Sequence, residues 1–527
     1  MKLISFFSIL FFLISCEEKN LAENFQLPKI EITEEGKIIP IDSTKLANIK
    51  DSNVVAFYGV NQNKTFWLAD SLHRQKIIAL LNNVKMEGLF SEYFDLKNIQ
   101  TEEKNIDILM DVALVDYDII LTENLSRFIK KATKGSLNPK KLYTNWDLKE
   151  NNVNFTELLL NFQKKDSFNW ALKRVIPHHI VYKRLKDALK IIYSLPKEEF
   201  VKIEQSSKIV LNDTNVILPL IKKKLIYWKD LKPKDNLTPF FDQETELAIK
   251  KFQMRHGLAP DGIIGVGTIM ALNFSKEKRK EQIIANMERW RWYPRKFERE
   301  YLIINIPDYK LHAIRNNDTL QIHKVIVGRA KRKTPVLSSR LTHLVFNPTW
   351  TVPPTILRKD VLPKAKRDRS YFKRKRITIY DSKKNVVSSM NWQAHKAGSY
   401  TYVQSPGTFN SMGLVKFMFP NRFNVYLHDT NSRGFFEKDI RALSSGCIRV
   451  QDPFELTEYF LDDMENWSFE KIEKTIRKGK TKEVNFKKDV YIHVLYWTSW
   501  SENGKLQFRD DLYNFDVGLY KKLRNKI

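Results

Sequence analysis

Near Tyr301 the apolar residues of this chain change their spacing, and a fold of one class cannot accommodate both halves. Upstream they recur at helical intervals. Ile77, Ile78, Leu80 and Leu81 share a face that Gly88 is predicted to end. Leu114, Ile119, Ile120, Leu125, Phe128 and Ile129 share another, stopped by Gly135 and Pro139, and Val181, Leu185, Ala188, Leu189 and Ile192 mark a third after Pro177. Downstream, 301–306, 310–314 and 320–327 are β-rich runs, with a turn at Asn316-Asn317-Asp318. With 527 residues, 43% of them hydrophobic, the chain is too long for one ordinary core and reads as roughly two to four globular domains.

One stretch of the β-rich half carries reactive chemistry. Residues 426–450 read YLHDTNSRGFFEKDIRALSSGCIRV, so His428 precedes Cys447, which sits in Ser444-Ser445-Gly446-Cys447-Ile448-Arg449. A thiol needs a base to become a good nucleophile near neutral pH, and imidazole is the usual one. Small residues ahead of the thiol let the backbone turn tightly, so that amide N–H groups can face a reacting carbonyl oxygen. The residue types alone also fit a buried core cysteine beside an unrelated histidine. The pattern H-D-T … S-x-G-C-x-R resembles the signature of the YkuD-type L,D-transpeptidases, which cross-link bacterial peptidoglycan. That resemblance implies Cys447 as nucleophile, His428 as its partner, Arg449 as a positioning residue, and Gly446 and Ser444 as the residues that shape the oxyanion loop. Tyr426 and Trp350 are candidates to line the substrate site. Asp429 follows His428 without showing itself a triad carboxylate. Ser445 stands where many smaller relatives carry histidine, so one imidazole must serve unless His343 or His395 folds in.

The first residues give an address. After Lys2, residues 3–14 are apolar except for Ser5 and Ser8, and Ser15 and Cys16 follow. That run is too short to span a bilayer as a helix but suits a signal-peptide core. Leu13-Ile14-Ser15-Cys16 resembles the bacterial lipoprotein signal, which implies cleavage before Cys16 and its lipidation. The expected location is the cell envelope, lipid-anchored on the periplasmic side. The net charge of +28 suits anionic partners, and export argues against nucleic acid among them. The chain has two cysteines; with Cys16 lipidated, Cys447 has no intrachain disulfide partner.

The expected organisation is multidomain α+β: a helical scaffold domain, a small three-helix module, and a mostly β catalytic domain with an inserted lid. Residues 1–15 are read as the lipoprotein signal peptide and 16–45, polar and Glu/Lys-rich, as a tether. Residues 46–205 form the scaffold; Phe57-Tyr58, Phe66-Trp67, Gly88-Leu89 and Leu121-Thr122 resemble that of the large L,D-transpeptidases. Residues 206–275 form the module, whose run FDQETELAIKKFQMRHGLAPDGIIGVGTIMALN resembles a peptidoglycan-binding module. There Asp242 is predicted to cap one helix and Thr268 the next, while Pro219 threatens to shorten an earlier one. Residues 276–300 are a connecting helix whose Trp290-Arg291-Trp292-Tyr293 reads as interface core. Residues 301–480 are the catalytic domain and 481–527 a C-terminal strand and appendage. The run Asn347-Pro348-Thr349-Trp350 resembles the start of the family's lid, placed at 355–402, which carries eight Lys/Arg between Lys364 and Arg376 against one acid, Asp368. After Cys447, Asp452-Pro453-Phe454-Glu455 reads as a helix start with Asp452 as its cap.

Competing classes fare worse. A papain-like protease has its nucleophile before its histidine, the reverse of the order here. A zinc peptidase is disfavoured because no HExxH occurs, and His178-His179 lacks carboxylate company. The resemblance implies no cofactor and no metal, with donor and acceptor stem peptides of peptidoglycan as substrates; it names no protein partner. An L,D-carboxypeptidase using the same machinery, or a non-catalytic lipid-anchored wall-binding scaffold, remains open.

Overall fold

The structure is a computed structural model that describes residues 36–164, 168–204, 207–461 and 463–525. Cys16, the signal segment and most of the tether lie outside the described residues. Among the described residues no helix is long and apolar enough to cross a membrane. Three separate hydrophobic clusters organise the rest: a scaffold core, a core shared by the module and the β domain, and a small core inside the lid.

The β domain is a closed barrel. Its staves are β1 (Glu300–Asn305), β2 (Lys310–Arg315), β3 (Asp318–Gly328), β4 (Val336–Phe346), β5 (Val415–Met418), β6 (Leu427–His428), β7 (Ile448–Val450) and β8 (Lys482–Leu495). The order around the ring is β4-β5-β6-β7-β3-β2-β1-β8, and β8 returns to β4. Pairs β6–β7 and β1–β8 are parallel and the rest antiparallel. Closure leaves no free edge among these staves. Asn316 and Asn317 take φ of 53° and 71°, which makes the tight β2–β3 turn that the sequence predicts.

Because β8 closes the barrel, a division at residue 480 separates one stave from the others. The last residues are no appendage either. Helix Asp516–Arg524 buries Leu519 and Leu523, and Tyr513 and Phe515 before it are buried too. These residues join the main hydrophobic core, and a buried ion pair of 2.7 Å between Asp516 and Arg289 adds to their hold.

Arg289 belongs to the helix Lys276–Trp292, where every residue from Gln282 onward is buried. Trp290 and Trp292 are interface core, as the sequence predicts. Several polar side chains of this helix survive burial through specific partners, although the Nε atoms of Arg289 and Arg291 and the indole N–H groups of Trp290 and Trp292 have none among the described residues. Asn286 donates to Gln282 O and to Thr498 Oγ1, Arg291 pairs with Glu288 at 2.8 Å, and Glu288 accepts the backbone N–H of Leu137 at 3.0 Å, reaching into the scaffold.

The scaffold core is built around Asp111–Lys134, with Phe57, Tyr58, Trp67 and Leu81 packed on it. Helix Ile180–Ser194, read with the scaffold from sequence, packs instead into the core of the barrel and module. In the module Asp242 caps Gln243–Arg255 by accepting the Thr245 N–H at 2.7 Å. Pro219 lies in the first turn of Leu218–Tyr227, where its missing N–H costs nothing. Two caps differ from expectation. Helix Val266–Leu272 begins at Gly265, and Thr268 is buried inside it, accepting from Gln253. Asp452 has φ of 51°, left-handed rather than the extended geometry of an N-cap, before helix Pro453–Leu461.

Candidate active site

Three neighbouring staves assemble the site. Register sets Lys416 of β5 opposite His428 of β6, and His428 opposite Arg449 of β7. Phe417, Leu427 and Ile448 are fully buried in the barrel core, so strand alternation puts Lys416, His428 and Arg449 in one row on the other face. Cys447 immediately precedes β7, and Tyr426 precedes β6; the Ile448 N–H donates to Tyr426 O at 2.9 Å and fixes the two strand entries side by side.

His428 is oriented by backbone. Its Nδ1 bonds the carbonyl oxygen of Asp429, and a carbonyl only accepts, so Nδ1 carries the proton there; the backbone of Met412 is a second acceptor acting on the ring. The Asp429 carboxylate is engaged elsewhere, accepting the Leu414 N–H at 2.9 Å and pairing with Arg433 at 3.4 Å. This packing requires glycine at 413, where φ is +65° and a Cβ would lie 2.4 Å from Asp429. Burial, then the charges of Arg449 and Lys416, press the His428 imidazole down to about 3 from its ordinary 6.5. The folded state thus leaves His428 neutral where the unfolded chain protonates it. Its contribution to stability is present above pH 6.5 and is lost as pH falls from there toward 3. Denaturant midpoints measured between pH 7.5 and 4.5 should therefore fall less steeply in His428→Gln than in the parent chain; parallel curves would contradict this.

The loop before the thiol is held at several points. Gly446 takes φ of +122°, a conformation favouring glycine. Ser444 Oγ donates to Cys447 O at 2.6 Å and accepts the Gly446 N–H at 3.1 Å. That bond occupies the Gly446 N–H, so Gly446 and Ser444 shape the loop. The Cys447 N–H finds no acceptor among the described residues and is the free donor. Thr334 Oγ1 donates to Gly446 O at 2.9 Å, and the Thr334 N–H donates in turn to the Tyr513 hydroxyl at 3.0 Å. Arg332 Nη1 donates to Ser445 Oγ at 2.7 Å while its guanidinium pairs with Asp360 of the lid, so one side chain links lid and loop.

Burial pushes the Cys447 thiol up, against the pull of the Tyr426 backbone N–H, Lys416 and Arg449. Among the described residues no hydrogen bond joins Cys447 Sγ to the imidazole. Arg449 is mostly buried, its Nε has no hydrogen-bond partner, and no carboxylate among the described residues pairs with it. An ordinary structural salt bridge is therefore not its role.

Cys447, His428, Arg449, Ser444, Gly446 and Tyr426 thus converge. Trp350 does not join them: it pairs with Gln404 in the lid's small sheet and packs on the lid core. His343 lies on β4 opposite Met418, two staves from β6, and His395 is on the lid. Sequence reasoning missed Lys416, Thr334, Arg332 and Tyr513. For Lys416 a signal existed: a lone cation between Val415 and Phe417 on an otherwise apolar strand.

This geometry sits inside a match to the family model described as YkuD, L,D-transpeptidase catalytic domain, over residues 299–465. Residues 52–189 match a "Scaffold domain" and 219–272 a "Putative peptidoglycan binding domain". Together these matches support a large YkuD-type protein. A curated Haemophilus influenzae protein named "Putative L,D-transpeptidase" is 35% identical over 218 residues, which is 41% of this chain and 44% of that protein. The shared stretch is under half of that relative's length. Among solved structures, this chain is similar to an L,D-transpeptidase of Xylanimonas cellulosilytica at 11% identity and TM-score 0.18, covering 56% of this chain and 100% of that one. It is also similar to L,D-transpeptidase 1 of Mycobacterium tuberculosis at 12% identity and TM-score 0.16, covering 37% and 61%.

Proposed function

We propose that this YkuD-type chain is an L,D-transpeptidase that cross-links peptidoglycan stem peptides between diamino acid residues. The observation that carries the reading is the row of His428 and the unpaired Arg449 guanidinium beside the entry of Cys447. The Cys447 thiolate attacks the carbonyl that joins the L-centre of the donor's diamino acid to D-alanine. The Cys447 N–H holds the oxyanion and Arg449 a substrate carboxylate. His428 Nε2 relays the thiol proton to the departing D-alanine amine, which leaves a thioester. The side-chain amine of an acceptor stem then attacks the thioester, gives its proton to His428 and restores the thiol. Cys16 anchors the chain by lipid on the periplasmic side of the envelope, several acyl chains giving the stable attachment that one does not.

Incubating a soluble form with tetrapeptide muropeptides, followed by mass analysis, tests the reading. Cross-linked dimer with D-alanine released supports transpeptidation; tripeptide alone assigns an L,D-carboxypeptidase, with water as acceptor. No product of either kind sinks both.

The lid supplies a second expectation. Lys366, Arg367, Lys373 and Lys375 are exposed, and none makes an ion pair among the described residues. Changing all four to Gln should raise KM several-fold at low salt with kcat preserved, and the difference should shrink as salt screens it. An unchanged KM removes the lid surface from substrate binding.

A further inference from the structure

We propose that Lys416, with Arg449 as a second cation, supplies the positive charge that offsets the burial cost of ionising the Cys447 thiol, and that His428 does not. The inference rests on the acyl-transfer reading of the same site, but it concerns the ground state of the thiol and can be tested without substrate.

The argument begins with register. Lys416, His428 and Arg449 stand opposite one another on three adjacent staves, so the imidazole is flanked on both sides by cationic side chains on its own face of the sheet. An imidazolium between two cations in a buried row would be strongly repelled. His428 is thereby kept neutral, consistent with its low protonation range. A neutral ring can relay a proton, but it offers a nearby anion no charge. The thiol–imidazolium pair that activates many cysteine nucleophiles has no place here.

The charge must come from elsewhere, and Lys416 is placed to give it. Its Nζ lies 3.7 Å from the centroid of the Tyr426 ring, and Tyr426 directly precedes the strand entry beside Cys447. The aromatic face fixes the ammonium without neutralising it. No carboxylate among the described residues forms an ion pair with Lys416 or Arg449. Among the described residues, these are the charged groups that act on the thiol and its row, besides Arg332, which bonds Ser445 of the loop. Lys416 comes from β5, His428 and Tyr426 from β6 and its entry, and Arg449 from β7; Arg329 acts on Arg449, and Glu483 of β8 more remotely on Lys416. The attraction is mutual: Lys416 and Arg449 pull the thiol toward ionisation, and the sulfur's charge favours protonated Lys416. When the thioester forms, the charge on sulfur is lost into the C–S bond as the departing D-alanine amine takes up the proton that His428 relays, and the cations no longer face an anion there.

The test is the pH dependence of iodoacetamide alkylation at Cys447. The full chain would carry Cys16→Ser, so that Cys447 is its one thiol. Sγ displaces iodide, so the rate follows the thiolate fraction. Lys416→Met should move the midpoint to higher pH and slow alkylation at pH 7 by about tenfold. Lys416→Arg should restore the parent profile, which a merely structural role for the ammonium would not require. His428→Gln should leave the midpoint where it is. A Lys416→Met profile that superposes on the parent's overturns the inference, as does a His428→Gln midpoint displaced upward. Should Lys416→Met fail to fold, the His428→Gln and Lys416→Arg profiles still decide. Muropeptide turnover is not part of this readout, so a failure of the transpeptidase reading and a failure of the charge assignment are separately visible.

Discussion

Cys447→Ala is expected to release no D-alanine from tetrapeptide muropeptides, a loss of about 10⁴-fold or more, while the chain stays folded. The size of the loss follows from covalent catalysis. Without sulfur there is no thioester, and an acceptor amine would have to attack an unactivated amide directly, with only the Cys447 N–H and Arg449 to assist. The fold should survive because the thiol is half-buried at the margin of the core and donates to nothing that holds a stave in place. The loop keeps its ties through Ser444, Thr334 and Tyr513, all of which act on backbone or on one another rather than on the sulfur. A melting temperature within a few degrees of the parent's, together with absent product, is the expected pair of results. Product that persists in Cys447→Ala would move the chemistry to another residue and leave a wall-binding scaffold as the surviving alternative.

The nucleophile and its histidine were legible because chemistry of this kind needs particular residue types in a short stretch. Much of the fold was legible for a similar reason. Helical and strand periods are local, so Asp111–Lys134 and β1 to β3 appear close to where the apolar pattern puts them. What escaped is what local pattern does not encode. Tyr513 reaches the nucleophile loop only because the C-terminal segment folds back under it, and its partner Thr334 is far away in sequence. Arg332 looks like any surface arginine until Asp360 and Ser445 are brought to it. Trp350, which a motif placed near the site, pairs with Gln404 and packs on the core of segment 350–404. The Asp452 cap failed because an Asp-Pro step also fits a left-handed turn. The Cys447–His428 pair was found correctly as a pair, but its electrostatics depend on Lys416, which arrives through sheet register.

Asp118 shows the same blindness on the side of stability, and its removal should have the largest effect on folding. It sits within the helix Asp111–Lys134, fully buried, where sequence offers only an acidic residue among apolar neighbours. Its carboxylate accepts the backbone N–H groups of Phe66 at 3.0 Å, Trp67 at 2.7 Å and Leu68 at 3.2 Å, and the Tyr58 hydroxyl at 2.7 Å. Burial lifts its carboxyl to about 6, so at pH 7.5 it is an ionised acceptor that these donors satisfy. Asp118→Ala strands the buried amides of Trp67 and Leu68 and the half-buried amide of Phe66 at once, leaving the Tyr58 hydroxyl only Thr122 Oγ1, and each stranded donor carries a desolvation cost. We expect a loss of about 3–5 kcal/mol, seen as a fall of about 10 °C in the first melting transition. Asp118→Asn, which retains one oxygen acceptor, should lose less. Because the scaffold core is separate from that of the barrel, the loss should stay local: at 25 °C, Cys447 in Asp118→Ala should still alkylate at the parent rate. A stability change under about 1 kcal/mol would show that the 66–68 turn finds other acceptors. Faster alkylation of Cys447 would instead show that scaffold and barrel unfold as one unit through the Glu288 tie to Leu137.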